Sequence, residues 1–218
     1  MDGLRRADAG DPGLESSELG QIEIAVRAAG AGAVAGMAAG LVWGGIGGRI
    51  AMRILFLTSD DRVRGLTSDD GFEIGQFSAA TVFLLVGTSV LGAIGGVAYG
   101  LLRRYLRGRL WLVTLAVALA AAVVGGGTFV EAEGIDFRLL EPLWLAIGLF
   151  VLLPGAWGAS VAITTDRFWK KGNRTFNLEP LGSVRPVSWG ASLMAWAVLV
   201  AIFIAGIVEL LSDIDQLT

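Results

Sequence analysis

The chain contains no cysteine and no histidine. Their absence excludes disulfides, thiolate zinc sites, iron–sulfur ligation, a cysteine nucleophile, an imidazole base and histidine-ligated haem. Charge is scarce as well. Asp, Glu, Lys and Arg together make 17% of the 218 residues, where a soluble domain carries about 25%. Lysine is nearly missing, with 15 of the 17 basic residues being arginine. Together with 32 glycines, that bias points to a GC-rich bacterial genome, which is an inference about codons and not about function. A net charge of −3 with no basic face excludes nucleic acid as a partner.

What is present is apolar. Hydrophobic residues make 54% of the chain and the mean hydropathy is +0.67. Five stretches carry no Asp, Glu, Lys or Arg: 28–48, 77–102, 110–130, 142–165 and 186–208, the shortest having 21 residues. A helix rises about 1.5 Å per residue and a hydrocarbon core is about 30 Å thick, so about 20 residues span it. Lipid offers no partner to a free N–H or C=O, which leaves helices or closed barrels. The runs are apolar all round, whereas barrel strands alternate. The expected fold is therefore an all-α polytopic membrane protein, a bundle of five transmembrane helices. The first extends past Gly48 through Arg49 and Arg53, placing it at about 26–57. The others fall at about 77–102, 110–130, 142–165 and 186–210. Residues 1–20 read as a mobile polar tail and 21–218 as one domain. A cleaved signal peptide is the weaker reading, since Arg5, Arg6 and Arg27 are outnumbered by six acids before a run that is too long.

Short loops keep Lys and Arg on the cytoplasmic side. Three segments that five spans would put on one side hold Arg5, Arg6 and Arg27, then Arg103, Arg104, Arg107 and Arg109, then Arg167, Lys170, Lys171, Arg174 and Arg185. Those 12 basic residues stand against at most five on the other side. This orients the N-terminus to the cytoplasm and the C-terminus outside, in a bacterial cytoplasmic membrane. The outer loops hold most of the acids, including a repeated Thr-Ser-Asp-Asp at 58–61 and 67–70. Its spacing does not fit an EF-hand calcium loop, and the residues read as caps and turns. The segment 166–185 mixes rings with cations, as Arg167-Phe168-Trp169-Lys170-Lys171, and suits an anionic headgroup layer.

Glycine has a period. Gly32, Gly36, Gly40, Gly44 and Gly48 recur every four residues in the first span, and Gly92, Gly96 and Gly100 in the second. Without a hydrophobic drive between helices in lipid, close backbone approach through small residues supplies the contact. A four-residue step turns about 400°, so the row drifts about 40° per step. Five glycines then face more than one neighbour. The competing reading is a glycine-lined pore. Residues 43–48 also resemble 91–96 at four of six positions, a weak sign of an internal repeat.

Two further places invite a function. Arg49 and Arg53 share a helix face and lie about 11 and 17 Å from the middle of the 26–57 span. Glu131, Glu133 and Glu209 fall at similar depth, so the group reads as an interhelical ion pair or, more sharply, an anion or lipid-headgroup site. Pro154-Gly155 falls mid-span in the fourth run and is a candidate helix break, a feature that marks midplane sites in transporters but also occurs as a plain kink. No acid or base accompanies it at that depth. No general base faces a nucleophile, and no phosphate loop or metal set appears. The expectation is a non-catalytic accessory or interaction subunit, with no cofactor. Its partners are the bilayer and either a second copy or another membrane protein. The alternative is a small-solute channel or transporter with a site near Pro154 or Arg49/Arg53.

Overall fold

The computed structural model describes residues 12–58, 79–129, 142–176 and 188–217. It is all-helical, with five helices long and apolar enough to cross a membrane: Ile22–Thr58, Thr81–Arg103, Leu110–Thr128, Leu143–Lys171 and Trp189–Asp215. The elements are α1 (Pro12–Ala39), a π-helical segment (Gly40–Gly47), α2 (Gly48–Thr58), α3 (Ala79–Arg103), α4 (Leu110–Phe129), α5 (Leu143–Phe176) and α6 (Trp189–Leu217). The first span is thus α1, the π segment and α2 in series.

The helix ends follow from local chemistry. Pro12 opens α1, where its missing N–H costs nothing, so the later part of the expected polar tail 1–20 is helical. Ser188 caps α6, its Oγ accepting from the Ala191 N–H at 3.3 Å. Glycine-rich sequence lets the backbone widen at Gly40–Gly47, and the Gly48 N–H reaches back five residues to the Trp43 carbonyl.

α1 and α3 are antiparallel and meet backbone to backbone. A β-carbon at Gly32, Gly36 or Gly40 would strike the carbonyl oxygen of Gly96, Gly92 or Thr88, and one at Gly92, Gly96 or Gly100 would strike that of Gly36, Gly32 or Ala28. Each four-residue step up α1 matches a four-residue step down α3. The carbonyls face opposing glycine α-carbons, so Cα–H···O contacts add to dispersion. Gly44 meets the Thr88 side chain, its β-carbon falling 2.8 Å from Thr88 Cβ. Gly48, expected in the same row, meets nothing within 4 Å. The π segment has more residues per turn, so there a four-residue step falls short of a full turn instead of overshooting it, and the row changes course before Gly48.

The remaining helices pack around α5. α4 lies along α5, α6 lies along α4, and α1, the π segment and α2 also touch α5. α5 runs unbroken through Pro154 rather than dividing there. The pyrrolidine ring is received by Gly125 of α4, and Gly155 faces Ala122, 3.1 Å from the ideal β-carbon position. Proline removes one helical hydrogen bond, and packing on both flanks carries the helix across. One core, at the end where α3 stops and α4 starts, holds Tyr99, Leu106, Val113, Ala162 and Ala195. Another, at the opposite end, holds Leu55 and Ala146 with Phe150 and Leu210 against them.

Candidate functional site

The strongest polar constellation joins α3 to α5. Arg103 is the last residue of α3, and Asp166 lies within α5, ten residues before its end. Arg103 is 6% exposed and Asp166 7%. The guanidinium Nε donates to Asp166 Oδ1 at 2.9 Å and Nη2 to Oδ2 at 3.0 Å, a two-pronged pairing. Nη1 donates to the Leu106 carbonyl at 2.9 Å. The Tyr99 hydroxyl, one helical turn below Arg103 and buried, lies within electrostatic reach of both charges. A desolvated charge is costly unless its partner is present with good geometry, and this arrangement supplies it.

The pair also holds the turn between α3 and α4. Tyr105 N–H donates to the Leu102 carbonyl at 2.9 Å and Arg107 N–H to that of Tyr105 at 3.0 Å. From α6, Trp196 Nε1 donates to the Arg107 carbonyl at 3.2 Å. Gly108 adopts φ +150°, a conformation side-chain-bearing residues rarely take. Four helices are thereby tied to one six-residue turn.

Two indoles link α5 to the α1–α3 pair nearer the middle. Trp43, in the π segment, donates Nε1 to Ser160 Oγ at 2.8 Å. Trp157 of α5 donates to the Gly36 carbonyl at 3.3 Å and lies over Gly95 of α3. Buried indole N–H groups need such partners.

The arginines singled out from the sequence lie elsewhere. The centre of the α3 span, near Gly92, faces Gly36 and Gly40. Both arginines lie on α2, beyond the π segment from that level. Arg49 is half-buried on α2; Arg53 is exposed, its guanidinium 5.4 Å from the centre of the Phe56 ring. Glu209 faces Gly127 of α4, its Cγ 3.5 Å from the ideal β-carbon position. Among the described residues no ion pair joins Glu209 to either arginine. Glu131 and Glu133 lie outside the described residues.

The sequence reading missed Asp166 and treated Arg103 as a loop cation. It also assigned Trp169 to the headgroup layer, whereas Trp169 is buried against Ala28 and Ile24 of α1. A usable signal existed: Arg103 and Asp166 each follow directly on a long apolar run, and the second and fourth spans run in the same direction.

All described basic residues other than Arg49 and Arg53 gather at the Arg103 end, including Arg27, Arg104, Arg107, Arg109, Arg167, Lys170 and Lys171. Compared with known proteins, the chain matches no family model, no curated protein and no solved structure.

Proposed function

We propose that the chain is a non-catalytic subunit of a bacterial cytoplasmic membrane, working by presenting a rigid helix assembly to a second membrane protein or a second copy of itself. The observation that carries this reading is what fills the middle of the bundle. Glycine backbones and the indoles of Trp43 and Trp157 occupy it, and the described ionisable groups stand at its two ends. Such a centre supports packing rather than passage, because intramembrane charge is what usually marks a solute path. The positive-inside rule assigns the Arg103 end, with the N-terminus, to the cytoplasm.

The glycine rows are spent within the chain. A partner would therefore meet the apolar faces of α3, at Phe83, Val90 and Ile94, or of α6, at Leu193 and Met194, all exposed. A photo-crosslinking residue placed at Phe83, Ile94 or Met194 in native membranes should give a discrete protein adduct. A strict monomer with no adduct from any of the three positions overturns the proposal.

A second reading, a small-solute channel or transporter, is favoured by one observation. Two helix irregularities, the π segment and Pro154, lie side by side, with Leu153 over Gly47, and π segments recur at functional sites. Flux in reconstituted vesicles that Pro154→Ala alters would favour this reading over the first.

A further inference from the structure

We propose that the turn between α3 and α4 is a built site for the phosphate headgroup of an anionic phospholipid, with Arg104, Arg107 and Arg109 as its recognition residues. The run Arg103-Arg104-Tyr105-Leu106-Arg107-Gly108-Arg109 divides its four arginines between two tasks. Arg103 is consumed by Asp166 and the Leu106 carbonyl, and so fixes the frame. Leu106 is fully buried beneath the turn, and Trp196 holds the Arg107 carbonyl from the far side. The other three arginines ride on that frame. Among the described residues no carboxylate pairs with any of them.

Two of the three are also oriented. The Arg104 guanidinium lies 4.6 Å from the centre of the Tyr105 ring and donates to its hydroxyl; that of Arg107 lies 5.3 Å from the Trp189 ring. Stacking on a ring face fixes the plane of a guanidinium while leaving other N–H edges to fork onto a phosphate. A positioned cluster loses less freedom on binding than mobile side chains do. Lys170 and Lys171, exposed on α5, have no such frame.

Position favours a lipid over a soluble anion. The turn sits where the α3 span ends at Arg103 and the α4 span begins at Leu110, with the α6 span starting alongside at Trp189. Trp111 is 58% exposed and Trp189 76%, and exposed indoles at span ends occupy the headgroup level. Below them Leu112 and Leu115 of α4 are exposed and would lie along the acyl chains.

The test is native mass spectrometry of the full chain in detergent, with dioleoyl phosphatidylglycerol and dioleoyl phosphatidylcholine supplied at equal concentration. The wild-type chain should retain the anionic lipid in clear excess. The three guanidiniums supply the charge-assisted bonds to the phosphate, so the triple variant Arg104→Gln, Arg107→Gln, Arg109→Gln should show no preference. Lys170→Gln with Lys171→Gln should keep it. Should the triple variant fail to fold, Arg109→Gln alone, at an exposed position, should lower the preference by roughly fivefold. An undiminished preference in the arginine variants, or its loss in the lysine variant, overturns the proposal. Displacement of the lipid by equimolar pyrophosphate would overturn it in favour of a soluble anion.

Discussion

A β-carbon added between α1 and α3 would strike backbone first, whereas one added between α4 and α6 would meet a side chain first. At Gly36 the obstacle is the Gly92 carbonyl; at Gly206 it is first a Val123 methyl at 2.8 Å, and at Gly127 the Glu209 side chain at 3.5 Å. A methyl or a carboxylate chain can rotate aside, but a carbonyl moves only with its helix. The first seam is therefore intolerant by construction and the second adaptable. A third kind of contact joins the two regions through α5, and it is polar: Arg103 to Asp166, Trp43 to Ser160 and Trp157 to Gly36. Small residues bring helices close, and directional bonds fix how the resulting units sit together.

Each level of that comparison can be broken separately. Gly36→Leu should have the largest effect, costing more than about 4 kcal/mol and abolishing the folded species. Loss of the monodisperse peak in detergent is the measurement. Gly127→Leu, in the adaptable seam and facing only the Glu209 side chain, should leave that peak in place, and equal collapse of both variants would erase the distinction.

Asp166→Ala strands a buried guanidinium and should cost about 3–5 kcal/mol, read by SDS titration of tryptophan fluorescence. Replacing both partners, Arg103→Leu with Asp166→Leu, should recover most of that loss, because the penalty comes from the orphaned charge. If the double variant is no better than the single one, the pair contributes chiefly through attraction.

Gly108→Ala should cost about 1–3 kcal/mol. Space is not the cause, since a β-carbon there would lie 3.9 Å from Trp196 and Val113. The φ of +150° is. Gly48→Ala should have the smallest effect and a reversed sign, a gain of up to about 1 kcal/mol from helix propensity in open space. A clear loss at Gly48 would mean that a neighbour covers it.

The five spans were legible because lipid imposes a length and forbids charge, and both are countable. Their ends were less so. Counting stopped the fourth span at the first acid, Asp166, yet α5 continues to Phe176, and that acid is paired with Arg103, 63 residues earlier. A one-dimensional count cannot see a partner on another helix. The pairing of Gly36 with Gly92 was likewise invisible, although both rows stood out, since a period shows that a face exists and not what it meets. Gly48 shows the converse: it keeps the period and loses the contact, because an intervening change of helix type rotates it away. Arg49 and Arg53 drew attention by being charged near an apolar run, a signal that does not say what they meet on another helix.

The glycine-lined seam also has a consequence for the order of assembly. It joins two consecutive spans that precede the other three described ones in the chain, so this hairpin can close in the bilayer before those three exist. The hairpin then carries an indole N–H at Trp43 and a carbonyl at Gly36 whose partners, Ser160 and Trp157, arrive two spans later. Until the fourth span inserts, the nascent protein presents a polar address on an otherwise oily surface, and that address selects which late helix docks.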